Sequence, residues 1–156
     1  MTFAPYVIDL VQHAPQPAGA AIQRVPFSSE GDFVQRWWTM DVTDYSRPGE
    51  WYSAMIDGVE MARVQLRIDS SIGSAYPTAP RPTRGFIEIV YIEVANHHLG
   101  KDIGPAVIAA IGATHPRRVL AALSAADGFW GEKMRWSVHE REDGDPLAWP
   151  LFVNPF

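Results

Sequence analysis

Residues 86–113, FIEIVYIEVANHHLGKDIGPAVIAAIGA, are the part of this 156-residue chain around which the rest is arranged. The first nine, Phe86 to Val94, are rich in β-branched and aromatic side chains and predict a strand. Both of its faces are mostly apolar, which suits a central strand covered on two sides. A polar loop with Gly100, Lys101 and Gly104 comes next, and then a helical run. Ile103, Val107 and Ile111 recur every four residues and share one face of that helix. A strand, a glycine-containing loop and a helix start together aim backbone N–H groups at an anion. The physics of the stretch predicts a phosphate site.

Outward from it, Trp51 to Ile56 and Val59 to Ile68 predict a hairpin turning at Asp57-Gly58, a strong two-residue turn signal. In the second arm Ala62, Val64, Leu66 and Ile68 alternate with Met61, Arg63, Gln65 and Arg67. One face is expected in the core and the other in solvent, with Arg63 and Arg67 as solvated side chains or as contacts for a substrate carboxylate. Residues 70–84, SSIGSAYPTAPRPTR, form a long connection with three prolines. Connections of that length tend to be functional or disordered, and this one would lie beside the start of the Phe86 strand as a substrate lid.

Toward the N-terminus, Tyr6 to Val11 predicts a strand and residues 12–27 a loop. Ser29 to Asp32 has the pattern of a capping box for a helix carrying Phe33, Trp37 and Met40 on one face. Trp37 and Trp38 are expected in the core, because each ring must bury so much area. Residues 41–50 are turn-like with room for a short second helix. Beyond the central helix, which His115-Pro116 ends, Arg118 to Leu123 predicts a buried strand. Ser124 to Asp127 then predicts the cap of a helix bearing Phe129, Trp130, Lys133 and Met134. Trp136 to Glu140 and Leu147 to Val153 would close the chain as a hairpin around residues 142–146. The expected order is β-α-β-β-β-α-β-α-β-β in a single domain spanning residues 1–156.

Composition bounds the function. The net charge of −5 and the lack of a basic cluster argue against nonspecific nucleic-acid binding. With no cysteine, disulfides, thiolate zinc sites and a cysteine nucleophile are excluded. No window reaches the roughly 18 apolar residues of a membrane span. No basic, then apolar, leader is evident at the N-terminus, so a cytoplasmic location is expected. His97-His98 has no third ligand in register, and no metal is expected. The GKDIG loop does not fit the Walker frame.

Val94-Ala-Asn-His-His-Leu-Gly-Lys-Asp-Ile-Gly104 resembles the acetyl-CoA loop of the GNAT N-acetyltransferases. In that family a strand-ending aliphatic residue is followed five positions later by Q/R-x-x-G-x-G/A. Leu99 to Gly104 keeps the spacing and the final glycine. Leu99 stands in place of Gln or Arg, and Asp102 in place of the first glycine. FIEIVYIEV is likewise similar to the glutamate-bearing fourth strand of the histone-acetylating branch. The resemblance covers roughly residues 51–140.

That resemblance implies an α/β fold with a mixed, mostly antiparallel central sheet, helices on both faces, and a splay between the fourth and fifth strands that admits pantetheine. It implies an enzyme that moves an acetyl group from acetyl-CoA to a primary amine of a small molecule or peptide, with a homodimer left open. Backbone groups of Ile92, Glu93 and Val94 would pair with pantetheine. Amides from Leu99 through Gly100, Lys101, Asp102 and Ile103 to Gly104 would hold the pyrophosphate, with His98 nearby. Ser124 stands where the family often has an asparagine touching the cofactor arm. Glu88 falls where that branch keeps its general base, and burial would raise its pKa toward a useful value. The competing expectation for Glu88 is an ion pair with Arg63 or Arg67. Glu93, an odd number of residues away, should face the other side. The family's thiolate-protonating tyrosine maps to Gly131. Leu99, Asp102 and that missing tyrosine also fit a noncatalytic acyl-CoA binder or scaffold on the same fold.

Overall fold

The computed structural model of the chain describes residues 6–14, 16–19, 22–28, 31–34, 36–39, 41–42, 49–145 and 147–155. Among these residues ten strands are found: β1 (Asp9–His13), β2 (Gln16–Gly19), β3 (Ile22–Arg24), β4 (Asp41–Val42), β5 (Glu50–Ile56), β6 (Val59–Ser70), β7 (Phe86–Val94), β8 (Leu120–Leu123), β9 (Ser137–His139) and β10 (Leu151–Val153). One α-helix, α1 (Ile103–Thr114), is found among the described residues. Seven strands make an open sheet in the order β1-β5-β6-β7-β8-β10-β9, and β2-β3-β4 make a small second sheet. The pairs β1–β5, β5–β6, β8–β10 and β9–β10 are antiparallel, whereas β7 and β8 run parallel. This is an α/β chain with a mostly antiparallel sheet. A parallel pair needs a crossover, and α1 lies in the one between β7 and β8.

The chain divides into two compact units, residues 1–66 with 91–114 and residues 67–90 with 115–156. In the first, Asp57 (φ 50°) and Gly58 (φ 78°) both take the left-handed conformation that a tight hairpin requires. The turn sets the register Ile56 with Val59, and one face of the hairpin is buried through Ala54, Ala62, Val64 and Leu66. In α1, Ile103, Val107 and Ile111 are buried as their spacing predicts.

The opposite face of β6 is not solvated. Arg63 is only 4% exposed and Gln65 equally so. The Arg63 guanidinium lies 4.2 Å from the ring centre of Phe33 and 4.9 Å from that of Phe27. It pairs with Glu60 at 3.0 Å and donates to the Ser28 carbonyl. Glu60 also takes the hydroxyl hydrogen of Ser53, and Ser53 meets His13 Nε2 at 2.8 Å. Alternation alone could not tell this face from a wet one. The side chains that cover it come from the N-terminal segment, Phe27 from the expected loop and Phe33 from the expected helix.

That segment departs from its expected structure in several places. The first strand runs from Asp9 to His13, and residues 12–27 contain β2 and β3 rather than loop alone. Where a helix was expected there is a short 3-10 turn, Arg36–Thr39. Ser29, Glu30 and Met40, with residues 43–48 of the turn-like stretch, lie outside the described residues. The tight turn gives the adjacent indoles separate partners. Trp37 Nε1 donates to Gln65 at 2.8 Å, and Trp38 Nε1 to Glu93 at 2.7 Å. Trp38 is 1% exposed and clusters with Val25 and Trp51.

In the second unit the helix expected after Ser124 is a six-residue π-helical turn, Gly128–Lys133. Ser124 Oγ accepts the Ala126 amide at 3.0 Å, a local turn that competes with helix capping. The wider coil sets Trp130 against both Phe129 and Trp136, with ring centres 4.7 Å apart in each pair. A core of Tyr76, Ala79, Phe86, Ala121, Leu151 and Val153 fills this unit. Two of those residues come from the 70–84 connection, so that connection is packed down by its own side chains.

Candidate functional site

Glu88 is 6% exposed on the buried N-terminal half of β7. Ser70 at the end of β6 donates to its Oε1 at 2.7 Å, and Arg67 Nη1 stands 3.7 Å from Oε2. Of the two arginines that strand alternation offered as partners, it is Arg67 that pairs, and Arg63 is engaged with Glu60. Ser70, which fixes the carboxylate's orientation, carried no signal in the sequence beyond its place at the edge of a turn-rich stretch.

Farther along β7, residues of opposite parity point elsewhere. Tyr91 stacks on Trp37 with ring centres 4.8 Å apart and meets Trp38 edge-on at 5.5 Å. Burial, and secondarily the Glu93 carboxylate, raise the Tyr91 pKa above its ordinary value. Glu93 accepts from Trp38 through Oε1 and from the Val34 amide through Oε2. Its side chain is therefore structural, and only its backbone remains a candidate for a cofactor. Ile92 and Val94, on the parity of Glu88, are half-buried.

The loop after β7 is pinned at both ends. Ala95 is buried, and its amide donates to the Met61 carbonyl at 2.8 Å. The Asn96 amide donates to the Asp32 carbonyl at 2.9 Å. The His97 amide donates to Asp32 Oδ2 at 2.6 Å, and His97 Nδ1 meets the same oxygen. These contacts lower the Asp32 pKa, the His97 amide being the largest cause. At the far end the Tyr6 hydroxyl donates to the Lys101 carbonyl at 2.9 Å. Asp32 and Tyr6 complete the loop's frame, and neither was singled out for it by the sequence. Between the pins, Leu99 (61% exposed), Gly100, Lys101 and Asp102 lie at the surface, and His98 is half-buried.

Gly100 (φ 77°) and Asp102 (φ 59°) both take left-handed backbone. Asp102 thus adopts at its own position the conformation that glycine takes most readily. Its carbonyl accepts the Ala106 amide, so it stands just before the first turn of α1. A helix leaves its first N–H groups without partners inside the helix. Here these belong to Ile103 and Gly104, since Pro105 has none. The loop and helix start therefore present amides toward one end of a 12-residue helix whose dipole favours an anion there.

Ser124 is at the end of β8 with its hydroxyl committed to the Ala126 amide and its own amide to the Pro150 carbonyl. Gly131 lies inside the π-helical turn, where an added Cβ would run into the Asp127 carboxylate. A side chain at that place would require the Asp127 carboxylate to swing aside. The Tyr76 hydroxyl is held by the Trp149 carbonyl and that of Tyr52 by Glu50. Among the described residues no group of three or more His, Cys, Asp or Glu is placed to hold a metal, and no helix is long and apolar enough to cross a membrane. Comparison of the chain with family models, with curated proteins and with solved structures gives no match.

Proposed function

We propose that this chain is an acyl-CoA-dependent N-acyltransferase that moves an acetyl group to a primary amine. The observation that carries the reading is the way β7 outruns its parallel partner and passes into a pinned loop and a helix start. The parallel ladder with β8 consists of two pairs, Ile87 with Leu120 and Glu88 with Ala121, while β7 continues to Val94 and leads through the loop into α1. Counting from the Trp51 hairpin, with the first strand before it, β7 and β8 are the fourth and fifth strands of the main sheet. The GNAT resemblance assigns the backbone groups of Ile92, Glu93 and Val94, on the tail of β7, to pantetheine. The pyrophosphate falls to the amides of residues 100–104, since that of Leu99 donates to the Asn96 carbonyl at 3.5 Å, with Lys101 offsetting Asp102.

In the transfer, the amine nitrogen attacks the thioester carbonyl, the carbon–sulfur bond breaks, and CoA leaves as thiolate. Glu88 takes the proton lost by the amine, and the thiolate is protonated from water. With a thiol pKa of about 8.5, thiolate leaves without an acid, so the glycine at residue 131 does not preclude turnover. Positioning is the larger contribution, up to about 7–11 kcal/mol where two reactants are held in line.

A second reading, a noncatalytic acyl-CoA binder, is favoured by one observation: Glu88 is buried and already paired with Arg67. Release of free thiol from acetyl-CoA across a panel of amines separates the two. Amine-dependent release supports transfer, and CoA binding without release supports the binder.

A further inference from the structure

The 70–84 connection is a closed loop around a cavity. Its base is drawn together at Asp69 (φ 56°) and Gly85 (φ 71°), both left-handed. An added Cβ on Gly85 would lie 2.6 Å from the Ser70 carbonyl oxygen, so the two ends touch backbone to backbone. Arg118 binds Asp69 and donates to the carbonyls of Arg84 at 3.1 Å and Gly85 at 3.4 Å, which ties the base shut. Tyr76 and Ala79 are buried beneath the loop with Phe86. Compact loops closed at the base and filled by their own side chains often carry function.

Within it lies an open cavity of about 370 Å³, a size that suits a small molecule. Its lining residues include Ser70, Ser71, Ser74, Arg81, Thr83 and Arg84. Asp69 is the acidic residue of the wall, and its carboxylate is taken by Arg118. The prolines at 80 and 82 restrict the backbone that carries Arg81. The lining thus includes two arginines and several hydroxyl-bearing residues, a set whose charge and donors suit an oxyanion.

We propose that this cavity binds the anionic end, carboxylate or phosphate, of the amine that the protein acylates. The binding site stands on the cavity alone, while the name acceptor rests on the acyl-transfer reading. Ser70 joins the two, since it lines the cavity and donates to Glu88 within the same unit.

The test is titration of the full chain, in the absence of acetyl-CoA, with glutamate, with phosphoserine and with glutamine, whose side chain ends in a neutral amide. Arg81→Gln/Arg84→Gln is compared with Arg117→Gln/Arg135→Gln, which removes the same charge from exposed positions outside the cavity. The proposal expects glutamate or phosphoserine to bind at least tenfold more tightly than the neutral amide. The preferred one of the two names the oxyanion, and the cavity double variant loses that preference while the control keeps it. No binding of either anion, or equal loss in both double variants, overturns it. Amine-dependent thiol release from acetyl-CoA is then measured with the same compounds. Binding that survives while no amine is acylated sinks the acceptor role and the acyl-transfer reading, but leaves the anion site intact.

Discussion

Glu93 accepts the indole hydrogen of Trp38 at 2.7 Å and the backbone amide of Val34 at 2.9 Å, one on each carboxylate oxygen. The strand that leads into the candidate cofactor loop is thereby fastened to the N-terminal segment by a charged acceptor. Hydrogen bonds to charged groups contribute about 1.5–3 kcal/mol each. Glu93→Gln puts an amide N–H₂ against one of two donors, so it should cost about 1–3 kcal/mol in urea unfolding. Trp38→Phe should be less than additive with it, and strict additivity would show that the two groups do not interact.

Asp32 holds the His97 amide, and this lowers its pKa below the ordinary 3.8. A depressed carboxylate pKa contributes stability that is fully present above the unfolded value and lost as pH falls through the folded one. The wild type should therefore lose stability below about pH 4 more steeply than Asp32→Asn does. Parallel pH profiles of the unfolding midpoint would detect this. Identical profiles would mean that the Asp32 carboxylate does not hold the loop in solution.

Gly85 and Gly100 share a left-handed backbone but differ in surroundings. An added Cβ at Gly85 meets the Ser70 carbonyl, whereas at Gly100 nothing lies within 4 Å. Alanine at residue 100 should cost about 1 kcal/mol from conformation alone. At residue 85 the clash with backbone adds to this, and a melting-temperature loss at least twice as large is expected. Equal losses would contradict the closed base of the 70–84 loop.

Glu88→Gln tests the assignment of the base. If Glu88 takes the amine's proton, turnover should fall by about 10²–10⁴-fold near neutral pH and recover in part as pH rises. CoA affinity should hardly change. Full activity at every pH with a lowered melting temperature would leave Glu88 as only the partner of Arg67 and Ser70.

The hairpin at Asp57-Gly58, β7 and α1 were legible because their signals are local: a turn dipeptide, β-branched runs, and a four-residue apolar repeat. The pinned loop was legible for the same reason, through its glycines and its place between a strand and a helix. Arg63 was not, since alternation gives a face its polarity but not its cover. Of the aromatic rings that bury it, Phe27 comes from a stretch without period and Phe33 from one whose spacing predicts a helix where a short 3-10 turn stands. The π-helical turn at Gly128–Lys133 was hidden too, because Ser124 to Asp127 spells a helix cap while the serine hydroxyl closes a tighter turn. Asp32 and Tyr6 hold the candidate loop across long sequence separations, which no local pattern encodes.

The central claim is that the tail of β7, the loop after it and the start of α1 hold an acyl-CoA. Amide hydrogen exchange of the full chain with and without CoA, resolved to peptides, addresses it most directly. The account predicts slowed exchange within residues 92–104, lessened by salt because phosphate contacts are screened. Unchanged exchange across residues 92–104 at millimolar CoA, or protection confined to other segments, would contradict it.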